Sequence, residues 1–81
     1  MLQLELRSKL SPEKVVKELQ RFFGEGGLGL ELKEATPACL TFEGGGGYVT
    51  ANLCQEEKQT LIQIVTQEWD YQVKQFASKL K

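Results

Sequence analysis

Alternation of leucines with polar residues predicts two β-strands in the first forty residues. In each predicted strand, three leucines at every second position would face inward and the residues between them would face solvent. These leucines are Leu2, Leu4 and Leu6 in the first strand, and Leu28, Leu30 and Leu32 in the second.

A helix is predicted between these two strands. Ser11 is a typical N-cap, Pro12 suits the first helical position, and Glu13 would lie beside the positive end of the helix dipole. Gly24 is expected to end the helix in a left-handed conformation. The residues expected to be buried are Val15, Val16, Leu19, Phe22 and Phe23.

The middle of the chain predicts a hairpin closed by the glycine run Gly44–Gly47. Its third and fourth strands would turn two apolar triplets inward, with Phe42 facing Val49 and Cys39 opposite Asn52 on the other face. The triplets are Ala38, Leu40 and Phe42 on one strand and Val49, Ala51 and Leu53 on the next.

Residues 60–66 fit two patterns. As a helix, this segment would prolong the apolar stripe that follows it. As a strand, its β-branched residues alternate, and Ile62 would face Ala51 while Ile64 would face Val49. We favour the strand, which would be joined to the preceding one by a loop at residues 55–58.

Residues 69–80 predict an amphipathic helix. Its apolar residues recur at spacings of four, three and four. They are Trp69, Val73, Phe76 and Leu80. Thr66 is expected to cap this helix, with Glu68 and Asp70 in its first turn and Lys79 and Lys81 in its last.

Together these elements predict an α+β fold of order β-α-β-β-β-β-α in one domain spanning residues 1–81. One antiparallel sheet would carry both helices on the same face. If residues 60–66 are helical, the order becomes β-α-β-β-β-α with a longer C-terminal helix.

The composition of the chain argues against some classes of binding partner. Ten basic and eleven acidic residues give a formal charge of −1, and the basic residues are interleaved with glutamates. Nucleic acid binding relies on clustered Lys and Arg, so we do not expect it. No apolar run approaches the length of a membrane span, and no secretory signal is evident, so we expect a cytoplasmic protein without a membrane partner.

The predicted order resembles the TATA-binding-protein-like, or helix-grip, architecture, whose larger relatives include START and polyketide-cyclase-like lipid-binding proteins. The residues that carry this resemblance are the helix start Ser11–Val15 and the closing strand and helix over Thr60–Leu80. The resemblance implies a long C-terminal helix that grips the sheet. It assigns no functional residue, because the extra helix and strands of the ligand-binding members are missing after the first helix.

Catalytic and cofactor chemistry are not indicated. The chain contains no histidine to act as a base, and its two cysteines, Cys39 and Cys54, are too far apart in sequence for a metal or redox pair. The segment Gly24–Gly29 fits G-x-G-x-x-G, but it would follow a helix and precede a strand, the reverse of a dinucleotide site. We therefore expect no enzyme activity, no cofactor and no metal.

The outer face of the sheet is the best candidate surface. Tyr48, Leu61 and Val65 would lie there as a semi-apolar patch, and Tyr71 lies off the apolar stripe of the last helix. These four residues form a predicted interface for self-association or for a protein partner. The alternative prediction is a module that binds a small apolar ligand between the sheet and the C-terminal helix.

Overall fold

A computed structural model describes residues 2–24, 26–36 and 38–80 of the chain. Seven elements follow one another in the predicted order. They are β1 (Leu2–Ser8), α1 (Pro12–Phe23), β2 (Glu31–Thr36), β3 (Cys39–Gly44), β4 (Gly47–Gln55), β5 (Thr60–Gln67) and α2 (Asp70–Leu80). The predicted α+β fold is confirmed, and the alternative with a single long C-terminal helix is wrong.

The five strands form one antiparallel sheet in the order β1-β5-β4-β3-β2, so β1 and β2 lie at its two edges. Both helices pack on one face, which we call the inner face. Helix α2 lies over β5 and β1, and α1 contacts β4. The helices also touch each other, because the rings of Phe22 and Phe76 meet edge to face at 5.5 Å.

The core lies between the inner face and the helices. Helix α1 buries Val15, Leu19 and Phe23 as predicted, and α2 buries Val73 and Phe76. Val16 and Phe22, also expected to be buried, are only half-buried against this core. The β-strands contribute Leu6, Leu40, Phe42, Val49, Ala51, Leu53, Ile62 and Ile64. Every one of these strand residues lies at a position that the alternation assigned to the inner face.

The β3–β4 hairpin has the predicted register. Phe42 faces Val49 and Cys39 faces Asn52. The turn is tighter than the glycine run suggested, because Gly44 and Gly47 already pair as strand residues. Ala38 precedes β3 and is exposed, although its carbonyl oxygen accepts a hydrogen bond from Leu53 N–H at 2.8 Å.

The predicted second strand is displaced toward the C-terminus. Strand β2 begins at Glu31, so Leu28 lies in the preceding turn, and Leu30 is buried just before the strand. Leu32 faces Phe42 on the inner face, yet it is 38% exposed. The reason is that β2 lies beyond the strands that the helices cover.

The predicted pairing of β4 with β5 is wrong by two residues. Ile62 faces Leu53 and Ile64 faces Ala51, and the connecting loop is residues 56–59, closed by a hydrogen bond from Glu56 N–H to the Gln59 carbonyl. A two-residue slip leaves the same side chains on the inner face, so alternation alone does not distinguish the two registers.

Thr66 does not cap the last helix. It is a buried residue of β5, and its hydroxyl donates a 2.7 Å hydrogen bond to the Tyr48 carbonyl. The chain then turns through Glu68, whose φ is 75°, and α2 begins at Asp70. Glu68 therefore lies outside the helix, while Asp70 and Lys79 lie in its first and last turns as predicted. Lys81 is outside the described residues.

Gly24 ends α1 without the expected left-handed conformation. Its φ is −81°, and its N–H bonds to the Gln20 carbonyl. A side chain at this position would overlap the Gln20 carbonyl oxygen. Close approach of the backbone is therefore what favours glycine at this helix end.

Candidate interaction surface

The face of the sheet opposite the helices, which we call the outer face, carries the predicted patch. Strand alternation places Tyr48, Leu61 and Val65 on this face, and all three side chains are half-buried. Their neighbours on the same face are mostly polar. They include Gln3, Glu5, Arg7, Thr41, Glu43, Thr50, Asn52, Gln63 and Gln67.

The three apolar residues form two groups instead of one patch. Val65 on β5 faces Thr50 on β4. Tyr48, two residues before Thr50 on β4, is therefore a diagonal neighbour of Val65. Leu61 pairs with Cys54, four residues from Val65 along β5. At about 3.3 Å per residue this separation is roughly 13 Å. The larger group therefore comprises Tyr48 and Val65.

Tyr71 lies on a different surface. It belongs to α2, on the helical side of the molecule, and it is 67% exposed. Its hydroxyl accepts a 3.2 Å hydrogen bond from the Gln75 amide one turn later. Tyr71 therefore does not extend the outer-face patch.

Polar contacts hold the residues around the patch in place. Gln63 Nε2 donates to Glu5 Oε2 at 3.1 Å, and the Thr41 and Thr50 hydroxyls lie 3.3 Å apart. Arg7 Nε donates to Glu56 Oε1 at 2.9 Å. Because cations and carboxylates alternate across these strands, the outer face presents mixed charge rather than a basic stripe.

The thiol of Cys39 also lies on the outer face, opposite Asn52. Burial raises the pKa of this thiol, and the negative charge of nearby Glu34 raises the pKa further. The thiol is therefore more strongly protonated at neutral pH than an ordinary cysteine, and a weaker nucleophile. Cys54 is exposed, and both cysteines are free.

A second surface, which the sequence analysis missed, lies on the inner face beside α1. An open groove of about 730 Å³ separates this helix from the ends of β2, β3 and β4. Its lining includes Val16, Ala35, Ala38, Leu40 and Leu53. No sequence signal marks this groove, because it arises where the two helices stop covering the sheet.

The contact between the sheet and α2, by contrast, is filled. Val73 is fully buried and Phe76 is 2% exposed. The rings of Phe23 and Phe76 meet at 5.5 Å beneath α1 and α2. The groove beside α1 is therefore separate from this filled contact, and another open recess of about 630 Å³ lies between α1 and α2, with Phe22, Phe76 and Leu80 in its lining.

The glycine run between β3 and β4 packs against the only tryptophan. Trp69 Nε1 donates a 2.9 Å hydrogen bond to the Gly44 carbonyl, and the indole ring lies over Gly45. The earlier glycine segment lies between α1 and β2, as predicted, with Glu25 outside the described residues. Its position after a helix offers no helix N-terminus to a phosphate.

Comparison with known proteins adds no family. No protein-family model matches the chain, and a search of curated proteins gives no match. Within residues 2–24, 26–36 and 38–80, no three His, Cys, Asp or Glu side chains lie close enough to share a metal ion. Neither α1 nor α2 is long and apolar enough to cross a membrane.

Proposed function

We propose that this chain is a non-enzymatic interaction module that self-associates, or docks a protein partner, through the outer face of its sheet. The observation that carries this proposal is the uncovered face itself. Both helices pack on the inner face, while Tyr48 and Val65 are diagonal neighbours on the other.

The chemistry of this face suits reversible association. A semi-apolar centre surrounded by polar residues is the usual arrangement of a non-obligate interface. Tyrosine is enriched in such interfaces because its ring provides apolar area and its hydroxyl a hydrogen bond. The hydrogen-bonded pair Thr41 and Thr50 lies next to Val65 and gives the centre a rigid support.

We also propose a structural relationship and a cellular compartment for this protein. The seven-element order supports a relationship to the TATA-binding-protein-like, or helix-grip, architecture. We propose a cytoplasmic module whose partners are proteins rather than nucleic acid, since the mixed charge of the outer face offers no continuous track for phosphates.

The test is the oligomeric state of purified protein, measured by size-exclusion chromatography with light scattering. Val65→Lys inserts a charge into the centre of the proposed contact and should convert a dimer into a monomer. Tyr48→Ala and Leu61→Lys should weaken the dimer by smaller amounts.

Gln75→Lys is the matched control, because it adds a positive charge on the exposed side of α2. It should leave the oligomer unchanged. A wild-type monomer that captures no protein partner through this face would contradict the proposal. A dimer that survives all three outer-face substitutions would contradict self-association through this face.

A second candidate function is the binding of a small apolar ligand. The observation that favours it is the groove beside α1, which has the volume of a typical ligand site and a lining in which apolar residues alternate with polar ones such as Lys17 and Gln20. Ala38→Phe would fill this groove with little effect on the core, because Ala38 is exposed.

The readout for this second candidate is thermal stabilisation by a medium-chain fatty acid. Wild type should be stabilised by the ligand and the Ala38→Phe variant should not. Equal shifts in both proteins, or no shift in wild type, would exclude the groove as the ligand site.

A further inference from the structure

The two edges of the sheet differ in how they are protected. Strand β2 carries a β-bulge between Leu32 and Glu34, and the extra residue is Lys33. Bulges and lysines are devices by which edge strands avoid pairing with another chain. Strand β1 has neither, and its register with β5 runs unbroken from Leu2 to Ser8.

The inner side of β1 is also incompletely covered. Leu6 is buried, but Leu2 and Leu4 are only partly buried where they pack against the core. A further strand beside β1 would cover these side chains. The β1 edge therefore offers both unpaired backbone groups and apolar side chains to an incoming strand.

We propose that β1 pairs antiparallel with β1 of a second copy of this chain, joining two sheets into one of ten strands. The two-fold axis lies at Leu6. This contact goes beyond the proposed outer-face interaction, because it uses the edge of the sheet and the backbone of β1.

Charge selects this register. In a two-fold antiparallel pair, one residue faces its own copy and its neighbours face each other across the axis. Centring on Glu5 or on Arg7 would place like charges opposite each other. Centring on Leu4 would place Glu5 opposite Gln3. Centring on Leu6 places Glu5 opposite Arg7 of the second copy on both sides of the axis.

The helical layer accommodates the same contact. Helix α2 contacts both β5 and β1. An axis midway between these two strands would run about 2.4 Å inside the edge, half of the strand spacing. Two such helices facing each other across a new strand pair would have axes about 10 Å apart, given a spacing of about 4.8 Å between strands. That separation falls at the usual distance for packed helices, so α2 and its copy would close over Leu2 and Leu4.

The first test is complementation by charge. Glu5→Arg and Arg7→Glu each place like charges across the axis, and each variant alone should dimerise at least about tenfold more weakly than wild type. Mixing the two variants restores opposite charges at both contacts, so a heterodimer should form. Contacts within one chain cannot produce this rescue, because each chain keeps its own substitution.

Glu31→Arg is the matched control, since it makes the same charge change on the outer face of the bulged edge strand β2. It should leave the dimer unchanged. Arg7→Glu removes the ion pairs of Arg7 with Glu56 and with Glu5 of the same chain, and Glu5→Arg removes the hydrogen bond that Glu5 accepts from Gln63. Circular dichroism must therefore first show that each variant is folded.

A disulfide test does not depend on the charge variants. In a background with Cys39→Ser and Cys54→Ser, a Glu5→Cys chain mixed with an Arg7→Cys chain should form an interchain disulfide. Glu5→Cys alone should not, because its two copies would be diagonal neighbours about 7–8 Å apart.

Three results would overturn the inference. They are a wild-type protein that stays monomeric up to about 1 mM, a dimer unaffected by either charge variant, and crosslinking of Glu5→Cys alone as readily as the mixture. A dimer that is lost with Val65→Lys but kept with both charge variants would overturn this contact and leave the outer-face proposal standing. A Val65→Lys protein that still gives the mixed crosslink would support the β1 contact.

Discussion

The turn between β3 and β4 offers a matched pair of substitutions that measures one contact. Gly45 and Gly46 both have positive φ, 60° and 83°, as a two-residue type I′ turn requires. A Cβ on Gly46 would have no atom within 4 Å, whereas a Cβ on Gly45 would lie 2.8 Å from Cζ2 of Trp69. Both alanine variants therefore have the cost of a left-handed backbone, but only the alanine at position 45 would collide with the indole ring.

The magnitudes follow from these two contributions. An alanine in the left-handed region costs roughly 1–2 kcal/mol, so Gly46→Ala should lower the free energy of unfolding by about that amount. At Gly45 the indole ring of Trp69 must also move, which costs about 1–3 kcal/mol for overpacking. Its 2.9 Å hydrogen bond to the Gly44 carbonyl, worth about 0.5–1.5 kcal/mol, would be strained or lost. We expect Gly45→Ala to be less stable than Gly46→Ala by roughly 1.5–4.5 kcal/mol, the sum of these two costs.

Urea unfolding followed by tryptophan fluorescence measures both values, because Trp69 is the only tryptophan. The native emission of Gly45→Ala should shift to the red, since the ring is displaced toward solvent, while that of Gly46→Ala should match wild type. In a Trp69→Phe background, followed by circular dichroism, the cost of Gly45→Ala should fall to that of Gly46→Ala. Equal destabilisation of the two glycine variants in the wild-type background would refute this reasoning.

Two further predictions concern a buried hydroxyl and a thiol. Thr66→Val keeps the shape of the buried side chain but removes its hydrogen bond to the Tyr48 carbonyl, so chemical unfolding should show a loss of about 0.5–1.5 kcal/mol; a loss within error of zero would contradict it. Iodoacetamide should modify exposed Cys54 before Cys39, and Glu34→Gln should move the alkylation of Cys39 to lower pH, because it removes a negative charge that raises the thiol pKa. Mass spectrometry across a pH series measures both rates, and an unchanged pH profile in Glu34→Gln would exclude the carboxylate as a cause.

Local signals predicted α1 and the β3–β4 hairpin well because each depends on neighbouring residues. Pro12 fixes the first turn of α1, and the helix begins there. The glycine run fixes the loop of the hairpin, and once the loop is short only one register turns Phe42 and Val49 inward together.

The register of β4 with β5 was predicted wrongly for the opposite reason. Its loop contains no glycine or proline, so the sequence leaves the loop position open by two residues. The structure instead pairs Gln55 with Thr60 and uses the buried threonine hydroxyl to bond the Leu10 carbonyl at 2.8 Å. That bond joins residues fifty apart in sequence, which alternation within one strand does not reveal.

The candidate surface was predicted in part. Strand alternation assigned Tyr48, Leu61 and Val65 to the outer face correctly, because a side chain's face depends only on its position along the strand. How close they lie depends on pairing across strands and on distance along β5. For that reason the sequence did not show that Leu61 stands apart from Val65.

The exposure of Leu32 and the groove beside α1 have the same physical cause. Five strands at about 4.8 Å make the sheet roughly 24 Å wide, while two helices of about 10 Å cover roughly 20 Å. Helix α2 covers β5 and β1, so the part of the sheet left uncovered is on the β2 side. There Leu32 is exposed and the groove opens at Ala35. The helices thus reach the β1 edge and stop short of the β2 edge. A bulge and a lysine protect the edge that has no cover, and the regular edge is the one where a second copy would continue both the sheet and the helical layer.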